Sequence, residues 1–263
     1  MDLAMRRLVL IGCGLAALLA CAPALARDGL DAVLSCMRAN IPRSVLVKEV
    51  ELTATDRVGG TRVLRGRLYG QREEGLLRTT LKIAAPADLA GAAYLLREKD
   101  GGDEMYMYLP ALQRVRRISG ASTQGALWGT DLSYGDIKQI NNAFSGGGGS
   151  VDGQGELGGR AVHLLSLEPD PAEASRYTKM KVWVDQKTCV SLRVDFHEGE
   201  NVRKRWTVDP ASLKQAGTHW YAGDSTMHDL IEQTHTRLRV IGVDSDVELA
   251  SRLFNPQTFY LGS

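Results

Sequence analysis

The stretch SVLVKEVELTATDRVGGTRVLRGRLY, residues 44–69, decides the fold class. Over residues 45–52 the alternate positions form two sets, Val45, Val47, Glu49, Glu51 and Leu46, Lys48, Val50, Leu52, and both sets contain apolar side chains. The same two-residue period returns over residues 62–69. A two-residue period places successive side chains on opposite faces of a strand. Because Gly59 and Gly60 separate the two runs, the stretch predicts two antiparallel strands joined by a tight hairpin.

The same alternation continues along the chain, so about ten or eleven antiparallel strands are predicted in all. The last two are long strands near residues 220–229 and 232–243, whereas the Gly-rich residues 146–150 are expected to be a flexible link. Three short helices are predicted, one of them at residues 29–39 with Asp28 as its N-cap, the others near residues 134–142 and 247–254.

A mainly β (α+β) domain is therefore predicted, built on one large curved antiparallel sheet or open barrel. A sheet with so many strands must curl. The helices are expected to cover one mouth of it. A concave apolar face is a ligand site by default.

The N-terminus has the pattern of an export signal. Arg6 and Arg7 precede the apolar residues 8–20, and Ala24-Leu25-Ala26 fits the small-residue cleavage rule. We therefore predict a signal peptide at residues 1–26, a single mature domain at residues 27–263 and a periplasmic location. The alternative is acylation of Cys21, after the lipobox-like Leu18-Leu19-Ala20, which would make the protein an outer-membrane lipoprotein.

The predicted mature chain is formally neutral. The full chain has 32 Lys and Arg against 31 Asp and Glu, and residues 1–26 contain Asp2, Arg6 and Arg7. This balance argues against a nucleic-acid partner, which requires a basic surface.

Two cysteines, Cys36 and Cys189, remain outside the predicted signal. In an exported protein they favour a disulfide over two buried thiols. Closing so long a loop would stabilise the fold by roughly 4–5 kcal/mol in the chain-entropy model.

No catalytic pattern stands out. The five histidines lack metal-ligand spacing, there is no Gly-x-Ser-x-Gly elbow, and the two cysteines are not in a CxxC pair. The Gly-rich residues 146–150 lack the lysine and following helix of a phosphate-binding loop. The sequence therefore predicts no enzyme, no metal site and no cofactor.

The stretch MYMYLPALQRVRRISGASTQGALWGTDLSYGD, residues 105–136, is the candidate binding surface. Tyr106 and Tyr108 share one strand face, and Arg114 and Arg116 share another. Two interpretations of the arginines remain: a solvated strand face, or a cavity rim that holds a lipid headgroup or carbonyl, for which the planar guanidinium is suited.

Leu127 and Trp128 lie in a loop of small residues that is expected to expose them. Two interpretations remain here as well. The pair either plugs the core or forms a mobile lid that moves away when cargo enters. The candidate ligand-binding residues are therefore Tyr106, Tyr108, Arg114, Arg116, Leu127 and Trp128.

Residues 108–118, YLPALQRVRRI, followed by GTDLSYGD at residues 129–136, resemble the signature of LolA-like outer-membrane lipoprotein-sorting proteins. KVWVD at residues 181–185 and KRWTV at residues 204–208 are also similar to that family. The resemblance implies an unclosed β-barrel wrapped over helices, with an apolar cavity that shields acyl chains.

The resemblance also implies a function, a periplasmic carrier or chaperone that delivers a lipid or lipoprotein toward the outer membrane. Its expected partners are acyl chains, an inner-membrane RND-type transporter and an outer-membrane acceptor. The alternative is a non-enzymatic envelope assembly factor, anchored at the outer membrane or docked on a transporter, that uses the apolar loop as a protein contact.

Overall fold

The computed structural model describes residues 22–141, 143–144, 147–170, 175–244 and 250–262. Most of the predicted signal peptide lies outside these residues. The described helices are α1 (Ala22–Ala39), α2 (Asp136–Ile140) and α3 (Ala250–Leu253). The strands are β1 (Leu46–Thr55), β2 (Thr61–Glu73), β3 (Leu76–Ala85), β4 (Ala93–Arg97), β5 (Glu104–Leu109), β6 (Arg114–Ile118), β7 (Gly149–Leu157), β8 (Arg160–Leu167), β9 (Lys179–Asp185), β10 (Ser191–Glu198), β11 (Asn201–Val208), β12 (Leu213–Ala216), β13 (His219–Ala222), β14 (Asp224–Asp229) and β15 (Thr234–Asp244).

Thirteen strands form one antiparallel sheet in the order β6-β5-β4-β3-β2-β1-β15-β14-β11-β10-β9-β8-β7. β6 and β7 are its two edges, so the sheet is not closed. β12 and β13 form a separate two-stranded hairpin. The prediction of a mainly β fold with one large unclosed antiparallel sheet is confirmed.

The hairpin predicted from residues 44–69 is the pair β1 and β2, whose register runs from Leu46 opposite Gly70 to Thr55 opposite Thr61. The other neighbour of β1 is β15, which pairs with it from Val47 to Thr55. β15 therefore joins the strands of the N-terminal half to those of the C-terminal half.

The inner face of the sheet is covered by α1 and by residues 119–141 and 143–144, which we call the plug segment. α1 contributes Leu30, Val33 and Met37 to the inner core, at the helical spacing that the sequence predicts. The plug segment contributes Leu127, Trp128, Leu132, Ile137 and Phe144. Burial of these side chains against the strands is the main favourable contribution to folding on this face.

The outer face has a smaller core of its own, built by the C-terminal segment. Leu253, Phe254 and Phe259 pack on strand residues that include Val47 and Leu95. The expectation that the C-terminal helix covers a mouth of the sheet is therefore wrong. Alternating apolar residues on both faces of β1 required this second cover.

Helix α1 begins at Ala22 and not near Gly29, so the expected cap at Asp28 is wrong. The alanine-rich residues before Asp28 are good helix formers, and Pro23 is tolerated because it lies in the first turn.

The second predicted helix is present as α2. The proposed cap of the third, Asp246, lies outside the described residues.

The sequence missed two strands, β7 and β12, and fused two others. Gly149, in the expected flexible link, begins β7, where a Cβ would lie 3.2 Å from Leu30 of α1. Glycine there allows the helix to approach the edge strand. The long strand expected at residues 220–229 is broken at Gly223 into β13 and β14. A Cβ on Gly223 would lie 2.7 Å from the Ser212 carbonyl oxygen.

Cys36 of α1 and Cys189, just before β10, form a disulfide with their Cα atoms 5.8 Å apart. The bond closes a loop with a sequence separation of 153 residues. It fixes the C-terminal part of α1 against the sheet at the end where β1 begins.

We expect Cys36→Ala, Cys189→Ala and the double variant to lose the same stability, because each removes the same bond. In the chain-entropy model the loss approaches about 5 kcal/mol. Urea unfolding with and without reductant measures it. Reductant should destabilise the wild type and leave the double variant unchanged, and an equal effect on both would contradict the expectation.

Candidate functional site

A cavity lies on the inner face of the sheet, at the end where β1 begins. Its empty space is about 760 Å³, including the part of its mouth that is open to solvent. Its apolar lining comes from strands β1, β2, β11 and β15 of the sheet, from the chain after α1, from the residue before β10 and from β13. It includes Ile41, Leu46, Val50, Leu68, Val190, Trp206, Val208, Trp220, Leu238 and Val240.

The wall of the cavity is held by Asn40, which follows α1. Its side-chain N–H donates to the backbone carbonyl of Thr188 at 2.7 Å, and its side-chain oxygen accepts from the backbone N–H of Trp220 at 2.9 Å. Asn40 therefore ties the end of α1 to the β9–β10 turn and to the β12–β13 hairpin. The Cys36–Cys189 disulfide reinforces the same corner.

Lys48 is the one charged residue among the described residues that line the cavity. It shares the inner face of β1 with Leu46 and Val50, and its Nζ lies 5.4 Å from the centre of the Tyr221 ring. A cation over a tyrosine ring gains about 0.5–2 kcal/mol. That gain replaces only part of the hydration that the ammonium loses in the cavity.

Burial lowers the pKa of Lys48 to about 8, because its apolar surroundings disfavour the charged form. Burial also raises the pKa of Tyr221, which keeps the phenol neutral at pH 7. The remaining polar liners are neutral, among them Asn40, Asn141 and Ser225. The cavity therefore combines apolar walls with one cationic group.

Leu127 and Trp128 are buried in the inner core, Leu127 completely and Trp128 with 9% of its surface exposed. The expectation that their loop exposes them is wrong. The plug interpretation describes this structure, because the small residues around the pair let the backbone turn inward. Trp128 has a φ of 50°, a conformation that a bulky residue adopts only when packing compensates for the strain.

Tyr106 and Tyr108 point to the outer core, on the side of the sheet opposite to the cavity. The Tyr108 ring stacks on Tyr260 with centroids 4.1 Å apart. Met105 and Met107 take the inner face of the same strand.

Arg114 and Arg116 lie on the edge strand β6, opposite Leu109 and Met107 in the register. Directly opposed residues share a face, so both arginines lie on the inner side of the sheet, where they are exposed. Of the six predicted binding residues, none lines the cavity.

Two further observations concern metals and membranes. The described residues contain no group of three His, Cys, Asp or Glu side chains arranged to hold a metal ion. Within the same residues, every helix is too short or too polar to cross a bilayer.

A protein-family model described as "Uncharacterized protein" matches residues 75–260. The chain belongs to that family. No curated protein matches the sequence significantly.

Solved structures share the fold over most of their length. A DUF1329 family protein from Desulfovibrio piger is 22% identical, with a TM-score of 0.79. The match covers 88% of this chain and 97% of that one. A putative outer membrane lipoprotein-sorting protein domain from Vibrio parahaemolyticus is 23% identical, with a TM-score of 0.78 and coverages of 87% and 97%. A LolA superfamily protein from Nitrosomonas europaea is 15% identical, with a TM-score of 0.67 and coverages of 86% and 96%. The resemblance to LolA-like proteins is thus confirmed for the fold.

The LolA-like stretch at residues 129–136 anchors the plug segment to the sheet. The Asp131 carboxylate accepts hydrogen bonds from the hydroxyls of Thr234 and Thr236 on β15. Lys204 of β11 donates to the Asp131 carbonyl at 2.6 Å and to the Asp136 carboxylate at 3.2 Å. These contacts satisfy charged groups that would otherwise be costly to bury.

Two tyrosines complete this anchor. The Tyr94 hydroxyl donates to the Tyr134 carbonyl at 2.7 Å. The Tyr177 hydroxyl contacts the Asp136 carboxylate at 3.3 Å, and burial together with Asp136 raises the pKa of Tyr177. The phenol thus stays protonated and acts as a donor.

The sequence contains one signal for the cavity that strand alternation alone does not single out. Lys48 occupies an inner position of the alternating strand, between Leu46 and Val50. A lysine within an apolar strand face is unusual, because lysine is almost never buried without a partner. The other liners come from distant parts of the chain, so only the fold could bring them together.

Trp128→Ala should cost about 3–5 kcal/mol of unfolding free energy, because it removes a large buried side chain. Trp128→Phe should cost much less, since the Trp128 indole N–H has no hydrogen-bond partner among the described residues. Urea unfolding measures both. A loss below about 1 kcal/mol for Trp128→Ala would show that the side chain is not part of the core.

Lys48→Met should stabilise the protein at pH 7, because it removes a charge from an apolar site and keeps the aliphatic stem. A shift from 10.5 to about 8 implies a gain of at most about 2–3 kcal/mol, discounted for the solvent at the mouth.

The pH dependence has a defined sign. Between pH 8 and 10.5 the unfolded wild type binds more protons than the folded protein, so wild-type stability rises across this window. The advantage of Lys48→Met should shrink over the same range in urea unfolding. A constant difference would show that Lys48 is not desolvated.

Proposed function

We propose that the protein is a carrier that binds the acyl chain of a lipid or lipoprotein in the inner-face cavity, for delivery toward the outer membrane. The observation that supports this is the mainly apolar cavity between the sheet, the end of α1 and the β12–β13 hairpin. The cavity lies on the inner face of the sheet, between the strands and the segments that cover them. We infer a periplasmic location, with residues 1–26 as signal peptide.

Burial of an acyl chain can drive such binding without any chemical step. Each methylene group transferred from water contributes about 0.8 kcal/mol, so ten of them contribute roughly 8 kcal/mol before the cost of ordering the chain. The aromatic walls at Trp206 and Trp220 add contact area. Carriage of an acyl chain is thus compatible with a site that has no catalytic group, and we propose that the protein is not an enzyme.

The edge of the sheet is the proposed contact for partners. Arg114 and Arg116 are exposed on β6, and neither forms an ion pair with another described residue. Such an edge can meet an acidic surface on an RND-type transporter or on an outer-membrane acceptor. We propose these two proteins as donor and acceptor of the cargo.

A second candidate function, a docking or assembly factor, is favoured by the opposite end of the sheet. Val58, Leu230 and Ile231 are exposed at the β1–β2 and β14–β15 turns. Pairing of Thr55 with His235 brings these turns side by side. Neighbouring apolar tips of this kind suit a protein contact.

The carrier proposal is tested by filling the cavity at Gly70. A Cβ there would meet only the Asn141 side chain, at 3.9 Å, so Gly70→Phe should place its ring in the cavity. We expect the wild type, purified from periplasm without detergent, to yield a stoichiometric lipid in mass spectra of organic extracts. We expect Gly70→Phe to yield at least fivefold less.

Gly155→Phe is the matched control, because Gly155 lies in the edge strand β7, away from the cavity, and also has room for a Cβ. It should carry the wild-type amount of lipid. Protein that neither co-purifies with lipid nor binds added acyl chains would contradict the carrier function and favour the docking function.

A further inference from the structure

We propose that the cavity selects an amphiphile with an anionic headgroup, a carboxylate or a phosphate, and that Lys48 binds this headgroup. The inference rests on the proposed carrier function and names its cargo class. It starts from the position of one cation on the inner face of β1, between Leu46 and Val50.

Lys48, which keeps part of its surface exposed, differs from the buried cations of the described structure. Lys204 pairs with Asp136 at 3.2 Å, Lys138 with Asp103 at 3.0 Å and Arg78 with Glu73 at 3.0 Å. Around Lys48, the described cavity residues provide no carboxylate, and its contact is the face of Tyr221. A buried ammonium without an anion is costly, so an anion that enters the cavity gains a strong charge-assisted contact.

The geometry also defines the orientation of the ligand. Leu68 of β2 lies opposite Lys48, and Val50, Leu238 and Val240 continue the apolar wall along the inner face. A headgroup at Nζ therefore has apolar wall on the sheet side for the chain attached to it. A neutral amphiphile could use the same wall but would leave the ammonium without a partner.

The test compares three ligands with the same sixteen-carbon chain: palmitate, hexadecyl phosphate and hexadecanol. Delipidated full-length protein is titrated below the micelle concentration at pH 7, and binding is followed by tryptophan fluorescence, since Trp206 and Trp220 line the cavity. We expect the wild type to bind at least one of the anionic ligands ten times more tightly than hexadecanol, and the tighter of the two identifies the headgroup.

Lys48→Met should weaken the preferred anionic ligand at least tenfold and change hexadecanol by less than twofold. Lys82→Met is the matched control. Its Nζ lies 5.8 Å from the centre of the Tyr69 ring, but on the outer face. This control should leave the affinities for all three ligands at wild-type levels.

A measurement on the wild type alone gives a second criterion. Tyr221 is the other titratable residue that lines the cavity, and it stays neutral through pH 9 because burial raises its pKa. Palmitate is ionised throughout, so its affinity should fall as Lys48 loses its proton above pH 8, whereas hexadecanol should show no such change.

The outcomes separate the two proposals. If all three ligands bind equally and Lys48→Met changes none of them, the headgroup assignment is overturned and the carrier function stands. The assignment is also overturned if Lys82→Met reproduces the loss seen with Lys48→Met. If the wild type binds none of the ligands, the carrier function itself fails.

Discussion

An open sheet buries apolar side chains only where other segments pack against it, and each face of this sheet has its own cover. The inner face depends on α1 and the plug segment, and the outer face on the C-terminal segment around Phe259. A closed barrel would bury one face of its sheet by pairing the edge strands. Here the edges β6 and β7 do not pair, so both faces depend on the covering segments. The position of the covers therefore decides where the inner face is filled and where space is left.

The plug segment is held by polar contacts as well as by burial. Asp131 and Asp136 meet Lys204 and two threonines of β15 below the surface, where a missing partner would cost several kcal/mol. Apolar packing alone is tolerant of sliding, whereas hydrogen bonds fix position and direction. The LolA-like stretch at residues 129–136 thus determines how the plug is placed, and none of its residues lines the cavity.

Local pattern was sufficient for most of the strands and for the class of sheet. The alternation in residues 44–69 gave β1 and β2 with their turn, and the two cysteines outside the predicted signal are those that form the disulfide. Pattern failed where the decisive contact was distant. The glycines around Gly149 resemble a linker in the sequence, and only the packing of α1 beside Gly149 explains its place in a strand. Leu127 and Trp128 lie in a loop of small residues, and only the need to cover the inner face explains their burial. Lys48 was visible as an anomaly, but its Tyr221 neighbour is distant in sequence.

The position of Lys48 bears on why the inner face is not filled at this end. α1 ends at Ala39, α2 ends at Ile140, and the β12–β13 hairpin stands apart from the main sheet, so three covers meet around the cavity without closing it. With an apolar residue at position 48, the covering segments could pack more closely and close the cavity, because no charged group there would need hydration. A lysine opposes that closure. Its lowered pKa shows that the folded protein is less stable with the charge than it would be without it. Folding alone gives no reason for a cation at this place, whereas an anionic ligand does, because binding would supply the partner that the described cavity residues lack.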